Sequence, residues 1–359
     1  MNRKFNLSIA LPTYNRAPRL KKALQDLIIH INNSGYKKNI QVVVSNNGSS
    51  DMTKKILSDF KKKFKLNDIE IKIFNLSRNK GLDFNILNCY EKSSLGYVWY
   101  ISDDDNLSKN AVKRVCNDII NLKPSFIYYN FEQAPYTKKT PYINHSKIFD
   151  QINRGSIKSL RKILNYPKIT SYVLEKKSNK ILNQIKVIFP KLLEANHSYM
   201  HCALTLETIL TYKNFYVSNF FIAYPDCDHE NHIDFPPYVG DELNEITEKI
   251  LVKNNYKELI KDFIFPKSNK LILGLNTLTT FYKGKIILTP DLKKEISTVV
   301  KEQLFEIPIM EQIKLFTNLE IITLSLKFSM YYLFNYLALF MLGKKIAILK
   351  KRSDSFEEE

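Results

Sequence analysis

A chain of 359 residues with 44% hydrophobic content is long enough for one large core or two ordinary ones, which excludes disorder as the default state. The formal charge of +18 suits phosphate-bearing small molecules, anionic lipid surfaces or nucleic acid, and charge alone does not choose among them. The four cysteines, at 89, 116, 202 and 227, show neither a C-x-x-C pair nor regular spacing, so no zinc knuckle or disulfide framework is indicated and a reducing cytosol fits best. The start, Met-Asn-Arg-Lys, turns directly into a short apolar run with Pro12, without the long apolar core and cleavage site of a signal peptide, so the chain is expected inside the cell.

Leu7 to Leu11 reads as a buried strand closed by Pro12, and Leu20 to Ile31 follows with apolar positions at helical spacing. The unit repeats, with Ile40 to Val44 as a β-branched strand, Asn46 to Asp51 as a polar turn and Met52 to Phe64 as a lysine-rich amphipathic helix. Ile69 to Phe74 gives a third strand, Leu82 to Ser93 a third helix, and Tyr97 to Ile101 a fourth strand running into Asp103, Asp104 and Asp105. This alternation predicts an α/β fold with a mostly parallel, doubly wound sheet, whose ligands sit beyond the carboxyl ends of the strands. The polar clusters at 12–16, 45–51, 77–81 and 102–106 all fall at that edge. Beyond about residue 130 the alternation fades, and Tyr216 to Tyr224 reads as a late apolar strand. Helical periodicity over 243–264 and 291–316, interrupted by prolines, predicts a helical C-terminal region over 241–359 after a domain over 1–240.

Asp103, Asp104 and Asp105 supply hard oxygen donors at a strand end, the preference of Mg²⁺ or Mn²⁺, and carboxylates so close repel one another without a cation or a strong hydrogen-bond network. An acidic turn capping a helix start is the bland alternative. The loop Pro12, Thr13, Tyr14, Asn15, Arg16 and the loop holding Asn46, Asn47 and Asp51 carry the hydrogen-bonding groups that nucleoside binding needs, although such residues also populate ordinary turns. Arg78, Asn79, Lys80 and Gly81 bring cations to the same edge, either to meet phosphates or as a solvated turn.

The ordered series Ser-Ile-Ala-Leu-Pro-Thr-Tyr-Asn-Arg (8–16), Val-Val-Val-Ser-Asn-Asn-Gly-Ser-Ser-Asp (42–51), Arg-Asn-Lys-Gly (78–81) and Ser-Asp-Asp-Asp-Asn-Leu (102–107) resembles the family-2 glycosyltransferases, and within them bacterial transferases of the abequosyltransferase type that build surface polysaccharides. The resemblance covers about residues 5 to 130. It implies the GT-A fold, a nucleoside-diphosphate sugar donor, a Mn or Mg divalent cation, and inverting transfer to a glycan or lipid-linked acceptor such as a lipopolysaccharide, O-antigen or capsule precursor. Carried over by residue, Pro12, Thr13 and Tyr14 line the nucleoside pocket with Asn15 and Arg16, and Asn46, Asn47 and Asp51 form its second wall. Arg78, Gly81 and Asn85 border the donor, and Asp103, Asp104 and Asp105 hold the metal diphosphate. Family members commonly carry Asp where this chain has Asn46, which alters the base edge that can be read.

The family pattern places the general base in the less regular second half, where Glu194 is the first candidate and Asp228 the second. Asp226, Asp228, His229, Glu230 and His232 form a dense polar cluster, in which His229 or His232 completes a metal shell or binds phosphate, or the cluster is a surface loop. His197 and His201, four apart, lack the glutamate of a zinc-protease motif and read first as structural or acceptor-contacting. Leu319 to Leu342, broken by Glu320, Lys327 and Asn335 and followed by a lysine cluster, reads either as a core helix or as part of an interfacial anchor spanning 319–352 on an anionic membrane. The expected location is therefore cytoplasmic, peripheral on the inner face of the cytoplasmic membrane. A basic single-strand-binding protein and a metal-dependent nucleotidyltransferase are the competing classes. The aspartates on the ligand edge count against the first, so no nucleic-acid partner is expected, and the lack of a glycine-rich phosphate loop counts against the second.

Overall fold

The computed structural model describes residues 5–131, 145–164, 167–190, 199–225 and 241–260, all within one compact unit. Its first half follows the expected alternation: β1 (Leu7–Thr13), α1 (Ala17–Asn32), β2 (Ile40–Asn46), α2 (Thr53–Leu66), β3 (Glu70–Asn75), α3 (Leu82–Lys92) and β4 (Gly96–Tyr100). The second half adds β5 (Asp105–Leu107), α4 (Ala111–Leu122), β6 (Phe126–Phe131), β7 (Lys147–Phe149), α5 (Arg154–Leu164), β8 (Tyr172–Lys176), α6 (Lys180–Ile188), α7 (Met200–Tyr212), β9 (Phe215–Pro225) and α8 (Asp241–Lys253).

The nine strands of the described residues join one sheet in the order β3-β2-β1-β4-β8-β6-β9-β5, with β7 paired to β9. The ladder is parallel from β3 through β2 and β1 to β4. Directions then mix, because β8 runs antiparallel to both β4 and β6 while β5 and β7 run antiparallel to β9. Leu7, Ile9 and Leu11 alternate onto one face, where Leu20, Leu24, Leu27 and Ile31 of α1 and Leu57, Phe60 and Phe64 of α2 close over them with α4. Each such side chain taken out of water contributes about 1.5–3 kcal/mol. On the other face α3 packs on β1 and β2, α7 on α3 and α6, and α8 on α7.

β1 does not stop at Pro12 as the proline suggests, but continues to Thr13. Ala10 faces β4, since its carbonyl accepts from Ile101, and Thr13 faces β2, since its carbonyl accepts from Asn47. By alternation Pro12 faces β4, beyond the last β1–β4 pair at Ala10 and Tyr100, where no ladder needs its missing N–H. β1 is also where the sheet changes direction of growth, with β2 and β3 added on one side and β4 on the other. A crevice opens at such a switch point beyond the strand ends, flanked here by Thr13 and by the aspartates that follow β4.

Candidate functional site

The crevice is closed by hydrogen bonds between segments far apart in the chain. Thr13 Oγ1 donates to Asp103 Oδ2 at 2.7 Å. Arg16 Nη1 donates to Asp104 Oδ2 at 2.8 Å and lies 3.6 Å from Asp103 Oδ1, and Arg19 approaches Asp104 to 3.7 Å. Ser102 donates its hydroxyl to Asp104 and its backbone N–H to Thr170 Oγ1, while Thr170 Oγ1 donates to Asp105 Oδ2. Thr170 belongs to the turn Ile169–Ser171, whose carbonyl at 170 also receives the Trp99 indole N–H at 2.8 Å.

These partners give three adjacent carboxylates three environments. Burial pushes Asp103 up to about 6, against the opposing hydrogen bond from Thr13 and the charge of Arg16. Burial also raises Asp104, but the Ser102 hydroxyl and Arg16 outweigh it and hold the carboxyl below its ordinary value. Asp103 and Asp105, exposed by only 8% and 9%, each accept from a threonine hydroxyl, whereas Asp104 takes the direct hydrogen bond from Arg16. Among the described residues no group of three or more His, Cys, Asp or Glu is placed to hold a metal ion. The donor chemistry nonetheless suits Mg²⁺ or Mn²⁺, which bind through one or two carboxylates and complete their shell with substrate phosphate and water. Asp103, a desolvated carboxylate with a raised pKa, would be relieved by a cation, and Asp105 is the second buried carboxylate of the turn that could share it.

The second and third loops are fastened to the first. Asn47 donates its backbone N–H to the Thr13 carbonyl at 2.9 Å, accepts from Lys80 N at 2.9 Å, and donates its amide to Asn79 Oδ1 and the Gly81 carbonyl. Gly48, at φ +73°, lets the backbones meet: a Cβ there would stand 2.4 Å from the carbonyl carbon of Arg78. Asn15 N donates to Ser49 Oγ and Asn15 Oδ1 accepts from Ser50 N, each at 2.9 Å. Asn85 donates to the Thr13 carbonyl at 3.3 Å. Asp51 receives Ala17 N and Thr53 N, each at 3.0 Å, so one carboxylate caps the starts of both α1 and α2.

The structure thus brings Pro12, Thr13, Tyr14, Asn15, Arg16, Asn46, Asn47, Asp51, Arg78, Gly81, Asn85 and the three aspartates to one edge of the sheet, as expected from the sequence. Within that edge the roles divide. Asn46 is fully buried, accepts from Ser49 N at 3.1 Å and donates to Asn75 Oδ1 at 2.8 Å, so both ends of its amide are committed to the loop. Tyr14 is 41% exposed, and Arg78 is exposed as well. Thr170, Arg19, Ser102 and Asn75 are absent from the sequence-based site. Thr170 in particular carries no local motif and reaches the acidic turn only through the second half of the sheet.

Glu194, Asp226, Asp228, His229, Glu230, His232 and His197 lie outside the described residues, as do 319–352 and Cys227. Pro225, which ends β9 directly before the 226–232 cluster, is the register partner of Asp105. His201 is buried in α7 with Nε2 2.8 Å from the Pro167 carbonyl, and burial lowers its pKa to about 4 despite that bond. It serves the packing of α7, in keeping with the structural reading. Cys89, Cys116 and Cys202 are free and buried. No helix among the described residues is long and apolar enough to cross a membrane.

Residues 8–176 match the family model Glycosyl transferase family 2. The chain is 28% identical over 160 residues to a Mycoplasma genitalium protein named "Uncharacterized glycosyltransferase MG025", covering 41% of this chain and 50% of that protein. It is 33% identical over 107 residues to the GalNAc(5)-diNAcBac-PP-undecaprenol beta-1,3-glucosyltransferase of Campylobacter jejuni, covering 30% of this chain and 32% of that protein. The chain therefore spans about half the length, or less, of these curated relatives. Among solved structures, S. aureus TarS 1–349 in complex with UDP-GlcNAc is similar with a TM-score of 0.54 at 15% identity, covering 82% of this chain and 83% of that one. At that identity the likeness establishes the fold, the mixed α/β sheet of the GT-A type. The matched segment, residues 8–176, contains all three site loops and the acidic turn, and in it the chain is similar to the glycosyltransferase family 2 domain.

Proposed function

We propose that the protein is an inverting, metal-dependent hexosyltransferase that moves a sugar from a nucleoside-diphosphate sugar to a glycan or lipid-linked acceptor in bacterial surface-polysaccharide synthesis, as abequosyltransferase-type enzymes do. The observation that carries this reading is the locking of the first strand loop to the acidic turn through Thr13 and Asp103, with Asn47 tying in the loops at 46–51 and 78–81. A nucleoside diphosphate needs such a rim, with polar loops for base and ribose and fixed carboxylates for a cation on the diphosphate. The UDP-GlcNAc bound by TarS supports a nucleotide-sugar donor, and the undecaprenol named in the Campylobacter relative supports a lipid-linked acceptor.

In the proposed reaction the acceptor hydroxyl oxygen attacks the anomeric carbon from the side opposite the diphosphate. The new C–O bond forms as the bond to the diphosphate breaks, and the hydroxyl proton passes to a carboxylate of the second half, Glu194 or Asp228. Asp103 and Asp105 are assigned to a divalent cation, with His229 as its third protein ligand. A cation there supplies charge stabilisation for the departing diphosphate. Arg16 and Arg19 hold Asp104, and through it the acidic turn, against the first loop. The protein is placed on the inner face of the cytoplasmic membrane, where lipid-linked acceptors reside.

Replacing Asp105 by Ala tests the assignment, because Thr170 retains its backbone contacts while one proposed cation ligand is gone. Turnover is expected to fall by at least about a hundredfold, and Mn²⁺-dependent nucleotide binding should disappear in calorimetric titration. Undiminished activity and binding would reject the reading.

A further inference from the structure

α2 buries Thr53, Leu57, Phe60 and Phe64. At about 100° per residue, one flank and the far side of the helix carry Lys54, Lys55, Lys61, Lys62 and Lys65, all exposed, in a broad stripe along its length of about 21 Å. None of these lysines enters an ion pair among the described residues. Asp59 is the single acidic residue of the helix, and none lies in its first turn. Lys54 and Lys55 stand instead at the positive end of the helix dipole, and Lys61 and Lys65 are like charges one turn apart. Both arrangements weaken a helix, so stability does not account for the stripe.

Apolar side chains project beside it. Leu66 at the end of α2 is 86% exposed, Met52 before its start 55%, and Ile29 on α1 53%. The bond from Asn32 Nδ2 to Asn67 Oδ1, 2.9 Å long, joins the C-terminal ends of α1 and α2, the ends of the two helices that carry Ile29 and Leu66.

We infer that this surface docks on an anionic lipid bilayer, with the lysine ammonium groups on headgroup phosphates and Leu66, Ile29 and Met52 entering the acyl boundary. Five unpaired cations with aliphatic side chains at the ends of the stripe match the chemistry of an interfacial helix. Single-stranded nucleic acid fits less well, because it calls for exposed aromatic platforms, and both phenylalanines of α2 are buried. The first turn of α2 follows Asp51 directly, so a bilayer along this helix has the substrate loops at its margin. The residues of this surface are other than those of 319–352, and the inference does not depend on the transfer reaction.

The test uses the full chain without substrates, sedimented with vesicles of phosphatidylglycerol and phosphatidylcholine or of phosphatidylcholine alone. Wild-type protein is expected to bind the anionic vesicles, less so as salt rises. Combining Lys54→Gln, Lys61→Gln, Lys62→Gln and Lys65→Gln is expected to lower the partition coefficient by at least about a hundredfold, and Leu66→Ser by about tenfold, with the thermal midpoint unchanged. The inference is overturned if the combined variant sediments like wild type, if wild type ignores anionic vesicles, or if it is retained on a mixed-sequence RNA and not on vesicles. Because no sugar nucleotide is present, a failure of the transferase reading leaves this readout unaffected.

Discussion

His201 lies under Tyr172 in a T-shaped contact at 5.2 Å, with Nε2–H given to a carbonyl and Nδ1 buried without a hydrogen-bond partner. A proton added to Nδ1 finds no acceptor, which is why burial depresses the pKa to about 4. The unfolded chain takes that proton near pH 6.5 while the folded one does not, so the unfolded state binds more protons in between. Stability contributed by the neutral ring is present above that window and is lost as pH falls through it, by up to about 3 kcal/mol. His201→Gln keeps a donor for Pro167 and removes the titration. Urea unfolding at pH 7 and pH 4.5 should show wild type losing more stability than the variant, and equal losses would refute the assignment. Gly48 offers a second test. Alanine there meets both a left-handed backbone and the carbonyl carbon of Arg78, and is expected to lose at least about 2 kcal/mol together with nucleotide affinity, read by denaturation and titration of one preparation. The sequence carries Gly48 as ordinary turn chemistry, and only the approach of the 78–81 loop explains why glycine is required. Asn46 is the reverse case: its place in the motif is visible from the sequence, but its full commitment to Ser49 and Asn75 is not, because Asn75 lies a whole helix and strand away.

Elements from β1 to β4 were legible because each carries its own period, apolar runs for the buried parallel strands and three-and-four spacing for α1 and α2. β5 and β7 are three residues each and have no such signal, and β8 is stabilised by long-range pairing with β4 and β6. The junctions are equally nonlocal. Lys176, at the end of β8, is 2% exposed and donates to the carbonyls of Tyr90, Glu91 and Ser93 at 2.6, 3.0 and 2.7 Å. These belong to the C-terminal turn of α3, where orphan acceptors favour a cation. Burial lowers the Lys176 pKa to about 8. Lys176→Met fills the space while removing every donor, and is expected to lose about 2–4 kcal/mol in chemical denaturation; a loss below about 1 kcal/mol would show that the cap is dispensable. Because α3 presents Gly81 and Asn85 to the first two loops, the same variant should also weaken donor binding.

Across the whole molecule, the site draws on both halves of the sheet: loops from the parallel part, and Thr170 and the β9 terminus from the mixed part. The fold class and the gathering of the polar loops at one sheet edge were readable from the N-terminal alternation alone. The second half was not, since its strands enter the sheet out of chain order and its candidate carboxylates lie in segments with little periodicity. Ligand binding couples to the global transition, so a panel of nucleotide sugars with Mn²⁺ is a whole-molecule test. A true donor present at one hundred times its Kd is expected to stabilise the fold by about 2.7 kcal/mol, seen as a raised thermal midpoint that reverts on chelation. A uniform midpoint across uridine, guanosine, cytidine and thymidine donors would argue against a nucleotide-sugar substrate.

Pro12 has a bearing on how wide the crevice beside β1 stays. In a parallel pair, the next rung after Ala10 and Ile101 would run from the amide of residue 12 to the Ile101 carbonyl, and proline has no hydrogen to form it. The backbone zipper between β1 and β4 is halted there by covalent structure, and beyond it the two chains are joined through the Thr13 side chain on Asp103. A residue with an amide hydrogen would let the two strands continue side by side, drawing the walls of the cleft together and shrinking the room for a diphosphate.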